Sequence, residues 1–145
     1  MITPQLMKMK LFYLLFASCI MLSGAGANAQ SITSGEITWQ ADSLTDVPSD
    51  SSYAIASQFV TGQSSIEWIQ KNGTYVREFA VVATTGEWAD VSQDGEIVYS
   101  VTLNGRAGEI KVGRYAGTHR IRLTYERSEA ETLEYSFHIS GFAQN

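Results

Sequence analysis

Sulfur is almost missing from this chain. Its one cysteine is Cys19, and its four methionines are Met1, Met7, Met9 and Met21. Beyond Met21 there is no thiol to form a disulfide, attack a carbonyl or ligate zinc. Proline is as scarce, with Pro4 and Pro48 alone. No long stretch after residue 29 carries apolar residues at helical spacing, which excludes a helical bundle. Positive charge is also short. Lys8 and Lys10 stand near the N-terminus, which leaves eight Lys and Arg against fifteen Asp and Glu in the rest of the chain. An acidic surface of this kind repels nucleic acid and anionic membranes at long range. It suits a soluble exported protein, or one that collects cations.

The N-terminal residues read as a signal for export. Lys8 and Lys10 form a basic region, Leu11–Leu22 an apolar run, and Gly24–Ala29 a small-residue stretch with Ala27-x-Ala29 as the cleavage site. The apolar run is too short to be a membrane span. Residues 1–29 are therefore expected to be a cleaved signal peptide, and residues 30–145 one secreted or periplasmic domain with no transmembrane segment. Phe16-Ala17-Ser18-Cys19 also approaches a bacterial lipobox, so a lipid anchor on Cys19 is the alternative.

Residues 30–145 read as all-β. Short runs alternate apolar and polar residues and are separated by Gly, Asn and Asp turns. Glu36–Ala41 is a first strand, Asp42–Ser52 a polar loop, and Tyr53–Val60 an extended stretch. Ser65–Lys71 and Thr74–Ala83 form a hairpin about Asn72-Gly73, the turn pair in which both residues tolerate positive φ. Phe79–Ala83 is apolar throughout and reads as buried on both sides. Glu87–Ser92 is a further strand, turned at Asp94-Gly95. Glu96–Leu103 returns through Asn104-Gly105, with Leu103 opposite Arg106 and Tyr99 opposite Ile110. Thr118–Arg127 and Glu131–Ser140 form a last hairpin with Leu123 opposite Tyr135, and Gly141–Asn145 is a tail. The expected fold is a single antiparallel domain of about eight strands in a hairpin meander, a small up-and-down barrel. A β-sandwich is the alternative. It needs connections that cross between sheets, which only Asp42–Ser52 and Gly113–Gly117 could supply.

The chemistry is sparse. No G-x-S-x-G, H-E-x-x-H, P-loop or Rossmann pattern occurs, and nothing calls for a cofactor. Trp39, Trp88, Tyr99, Tyr125 and Tyr135 lie in phase with apolar neighbours and read as core. Trp68 differs, because the Asn72-Gly73 register sets it opposite Arg77 with Gln70 and Tyr75 beyond. Trp68, Tyr75 and Arg77 are therefore the candidate ligand-binding residues, on a partly exposed face. Asp90, Ser92, Asp94 and Glu96 have the oxygen spacing of a calcium loop, but Val101 stands where an EF-hand needs its distal Glu. A plain Asp-Gly turn explains the same residues. Glu67 and Glu78 face each other in the hairpin register, at a spacing that a carboxylate-dependent hydrolase could use. Two solvated carboxylates explain them as well. His119 and His138 fall on opposite faces and make no relay.

Gly86-Glu87-Trp88 resembles the Gly-x-Trp signature of lipocalins. In that family the motif lies on the first strand, whereas here it is mid-chain and no second motif accompanies it. The barrel expectation rests on the hairpins. The functional expectation is an exported domain that binds an unknown small molecule, glycan or envelope protein without catalysis. A solid-core structural or interaction module is the alternative.

Overall fold

The structure, a computed structural model, describes residues Ile32–Asn145. The expected signal peptide, its expected cleavage site and Cys19 lie outside the described residues. Nine strands form one antiparallel sheet: β1 (Ile37–Asp46), β2 (Ser51–Tyr53), β3 (Ser57–Thr61), β4 (Ser65–Gln70), β5 (Tyr75–Thr85), β6 (Gly95–Leu103), β7 (Arg106–Tyr115), β8 (Thr118–Ser128) and β9 (Glu131–Gln144). From β3 to β9 each strand pairs with its sequence neighbour. β1 pairs with both β3 and β9, which closes an eight-stranded up-and-down barrel with β2 as an extra strand. Closure removes the free edges that an open meander would expose. The sandwich is excluded.

The turn chemistry behaves as expected at Asn104-Gly105, where φ is 51° and 76°. Leu103 pairs with Arg106, Tyr99 with Ile110 and Ile97 with Val112. Leu123 likewise pairs with Tyr135 and Ile121 with Phe137. Gly113–Gly117 makes no crossing connection. Ala116 and Gly117, at φ 49° and 83°, form another tight hairpin turn between β7 and β8.

Five expectations are corrected. Asp42–Ser52 is not one loop, because β1 continues to Asp46 and pairs there with β2 and β9. A register shift around Ala41–Ser43 lets the strand bend and resets its alternation, turning Leu44 inward. Tyr53–Val60 is not one extended run but the end of β2 and most of β3. Phe79–Ala83 is not buried on both sides: Phe79 is fully buried, yet Val82 is 68% exposed, since a barrel wall has only one dry face. Glu87–Ser92 is a loop rather than a strand. Its Asp90 carboxylate accepts hydrogen bonds from the backbone N–H and hydroxyl of Ser92, a local turn that competes with extended pairing. Gly141–Asn145 is not a free tail, since Gly141–Gln144 pairs with β1 and completes the closure.

Large side chains fill the interior. Trp39, Phe59, Phe79 and Phe137 are fully buried, as are Ile37, Ile66, Ile97, Ile110, Ile121 and Leu123. Phe59 meets Phe137 edge-on at 4.8 Å. A buried polar chain links the paired strands β1 and β3: the Trp39 indole N–H donates to the Thr61 hydroxyl at 3.0 Å, and that hydroxyl donates to the Ile37 carbonyl. The two barrel ends differ. At one, the 86–94 loop folds Trp88 inward onto Trp39, with ring centres 6.0 Å apart. His119 anchors that loop through the Val91 carbonyl at 2.7 Å, and Ile32 is buried there too, its N–H donating to the Trp88 carbonyl. The other end is not capped in this way.

Candidate functional site at the barrel mouth

β4 and β5 deliver the site. Their register sets Trp68 opposite Arg77 and Gln70 opposite Tyr75, as the hairpin spacing requires. Ile66 and Phe79 face the core, so the period of two turns Trp68 and Arg77 inward as well. The expected partly exposed face is corrected here. Trp68 is only 4% exposed, stacked flat on Phe59 at 6.0 Å and edge-on to Phe137 at 5.4 Å. Gln70 and Arg77 make the local sequence look wet, but they sit where the barrel opens while Trp68 lies one step deeper.

Arg77 closes the core from above. Its guanidinium carbon lies 5.3 Å from the Trp68 ring centre, 5.1 Å from that of Tyr75 and 5.6 Å from that of Tyr125. Its Nε–H donates to the Tyr75 hydroxyl at 2.6 Å, and another N–H donates to the Tyr125 hydroxyl. A cation among three aromatic faces gains from each ring quadrupole. Among the described residues Arg77 has no carboxylate partner within ion-pairing distance. The Trp68 indole N–H is buried and has no acceptor. A dry, unsatisfied donor is uncommon enough to invite explanation.

Around this centre is a hollow of about 440 Å³. Leu44, Tyr53, Ile55 and Leu133 supply apolar wall, while Lys71 and Arg127 add positive charge against the carboxylate of Asp46. Tyr53 and Ile55 come from β2 and the link after it, so the extra strand forms one lip. Burial raises the Tyr135 phenol above its ordinary pKa, with Tyr125 adding to the shift and Arg77 and Arg127 opposing it. The structure thus brings Trp68, Tyr75 and Arg77 together. It adds Tyr125 and Tyr135, which the sequence marked only as core, and the β2 lip, which had no signal in the sequence.

The remaining candidates do not assemble. Asp90 is occupied by Ser92. Asp94 accepts from Arg114 at 2.8 Å and from the N–H groups of Ala116 and Gly117. Glu96 accepts from the Tyr115 hydroxyl. Among the described residues no three such groups are placed to hold a metal ion. Glu67 and Glu78 do pair across β4 and β5, on the outer wall of the barrel. His138 lies opposite Arg120 and also bonds Asp42 at 2.9 Å, while His119 turns inward toward Trp39 and Trp88. Among the described residues no helix is long and apolar enough to cross a membrane. Comparison with known protein families, with curated proteins and with solved structures finds no match to this chain.

Proposed function

We propose that this is an exported, non-catalytic binding domain whose mouth takes a small anion with an apolar or aromatic body. One observation carries the reading: Arg77 is held among three aromatic rings with no carboxylate partner among the described residues. An anionic group would complete its charge, and the Trp68 ring that Arg77 covers carries an indole N–H with no acceptor. The hollow is of ligand size and has convergent polar groups on an apolar wall. Titration with anilinonaphthalene sulfonate, an aromatic anion, tests this. Saturable binding is expected, weakened about tenfold or more in Arg77→Met and unchanged in Arg120→Gln, since loss of a charge-assisted contact costs at least that much. Equal binding by Arg77→Met would overturn the reading.

The second reading is a solid-core interaction module. The packed interior favours it, because Trp39, Phe59, Phe79 and Phe137 occupy the space where a deep barrel ligand would lie. Under it the wild-type protein gives no saturable titration at the mouth. Export rests on Lys8, Lys10, the Leu11–Leu22 run and Ala27-x-Ala29. Intact-mass analysis of secreted protein is expected to show Gln30 as the first residue. A lipid-modified Cys19 in that place would make the protein membrane-anchored.

A further inference from the structure

The outer wall over β7, β8 and β9 carries a second feature that the mouth does not use. Arg120 and Arg122 both point outward from β8 and are exposed. Register sets Lys111 directly opposite Arg122 on one side and Ser136 on the other. Like charges placed directly across a ladder destabilise a sheet. This clash stands on a domain with nearly twice as many acidic as basic residues after the proposed cleavage site.

The nearby carboxylates relieve it only on the lysine side. Glu109 pairs with Lys111 at 3.3 Å, and Glu96 accepts the Tyr115 hydroxyl. Asp42 pairs with His138, the neighbour of Arg120 on β9. Neither arginine forms an ion pair with a carboxylate of the described residues. Lys111, Arg120 and Arg122 line one hollow of about 400 Å³ together with Tyr115, Thr118, Ser136 and Glu96, whose carboxylate accepts the Tyr115 hydroxyl. Gly113 lies opposite Arg120. A Cβ there would lie 2.6 Å from the Tyr115 hydroxyl oxygen, so only glycine lets that ring fold back across the strand as a wall.

We propose that this hollow is an oxyanion site for a phosphate or sulfate group, separate from the mouth. Two guanidinium forks suit a tetrahedral oxyanion, and the Thr118 and Ser136 hydroxyls can donate to the remaining oxygens, while Lys111 stays shared with Glu109 and the Tyr115 proton with Glu96. An occupying dianion would neutralise Arg120 and Arg122, which no carboxylate of the described residues pairs.

Sodium phosphate titrated at constant ionic strength, with chloride as the balancing salt, tests the proposal. Arginine Nε–H resonances are followed by NMR. The Arg120 and Arg122 signals are expected to shift saturably. In Arg120→Gln/Arg122→Gln the affinity should fall about tenfold or more, while Arg77→Met leaves it unchanged. Both arginines stand on the outer wall, so melting of the double variant in chloride should match or exceed the wild type. Glycerol phosphate serves as the second ligand. Tighter binding than inorganic phosphate assigns the group to an organic carrier, and equal binding assigns it to the free ion. Absence of saturation by either ligand, or loss of phosphate binding in Arg77→Met alone, overturns the proposal.

Discussion

Gly95 and Trp88 are fitted to each other: a Cβ on Gly95 would stand 2.2 Å from Cδ1 of the Trp88 ring. The indole lies across the start of β6 and donates its N–H to the Gln93 carbonyl at 2.8 Å. Gly95→Ala must therefore push out the plug that covers Trp39. Overpacking of this kind costs about 1–3 kcal/mol. Trp88→Ala alone should cost about 3–5 kcal/mol. Combined, they should cost clearly less than their sum, because the alanine methyl then enters vacated space. Additive losses in chemical denaturation would show that the two residues act separately.

Tyr99, Phe137 and Trp68 should behave alike in stability. All three are buried, and Phe137 and Trp68 touch. Truncating each to Ala is expected to cost about 3–5 kcal/mol, a large part of a small domain's stability. Urea midpoints measure it. A loss below about 1 kcal/mol for Trp68→Ala would return that residue to the exposed position its sequence neighbours imply.

The difference at Trp68 shows what was legible in the sequence. Alternation and Asn-Gly turns determine who faces whom, and the Trp68–Arg77 and Tyr99–Ile110 pairs follow from local spacing alone. Which side of that pair is dry depends on closure, which is not local. β1 and β9 meet through residues nearly a hundred positions apart, as in Asp46 opposite Tyr135. Phe142 reads as tail until Trp39 is known to lie 5.6 Å away. Glu87–Ser92 has strand-like alternation, yet Trp88 is spent capping the barrel end rather than pairing in the wall. The juxtaposition of Trp68, Tyr75 and Arg77 was legible as a trio of residues, and the walls around this candidate site were not, because they come from strands far apart in sequence.

Calcium should leave stability unchanged. Asp90, Asp94 and Glu96 already accept from Ser92, from Arg114 and from Tyr115. A ligand stabilises only as the logarithm of its excess over Kd, so a site that must first break these bonds gains little. Melting in millimolar calcium and in chelator should coincide. A rise of several degrees with calcium would show that the loop rearranges around the ion.

The Asp42 carboxyl should titrate below its ordinary value. The hydrogen bond from His138 is the largest cause, and the Ser43 hydroxyl adds to it. The folded pKa lies below the unfolded one. The contribution to stability is therefore present above the ordinary value of 3.8 and is lost as pH falls through the folded value. Carboxyl-carbon NMR titration measures the midpoint. His138→Ala should move it upward toward 3.8. An unmoved midpoint would assign the effect to Ser43 and its surroundings.

Arg77 separates the two readings of the protein. If the mouth is a binding site, its arginine is kept for the ligand and stability gains little from it. The cation gains from three rings and two phenol oxygens, but those contacts are offset by desolvation of a charge without a carboxylate partner. Arg77→Met keeps the stem packing on Trp68 and removes that charge. Its stability should stay within about 1 kcal/mol of the wild type, while affinity for anilinonaphthalene sulfonate falls about tenfold or more. If the mouth is only the end of a solid core, Arg77 is instead the clasp that joins Trp68 on β4 to Tyr125 on β8. Arg77→Met would then cost more than about 1 kcal/mol, as loss of a half-buried network joining two strands does, with no ligand effect to accompany it. Denaturation and titration of this one variant therefore distinguish a site with an unfilled partner from a structural bolt.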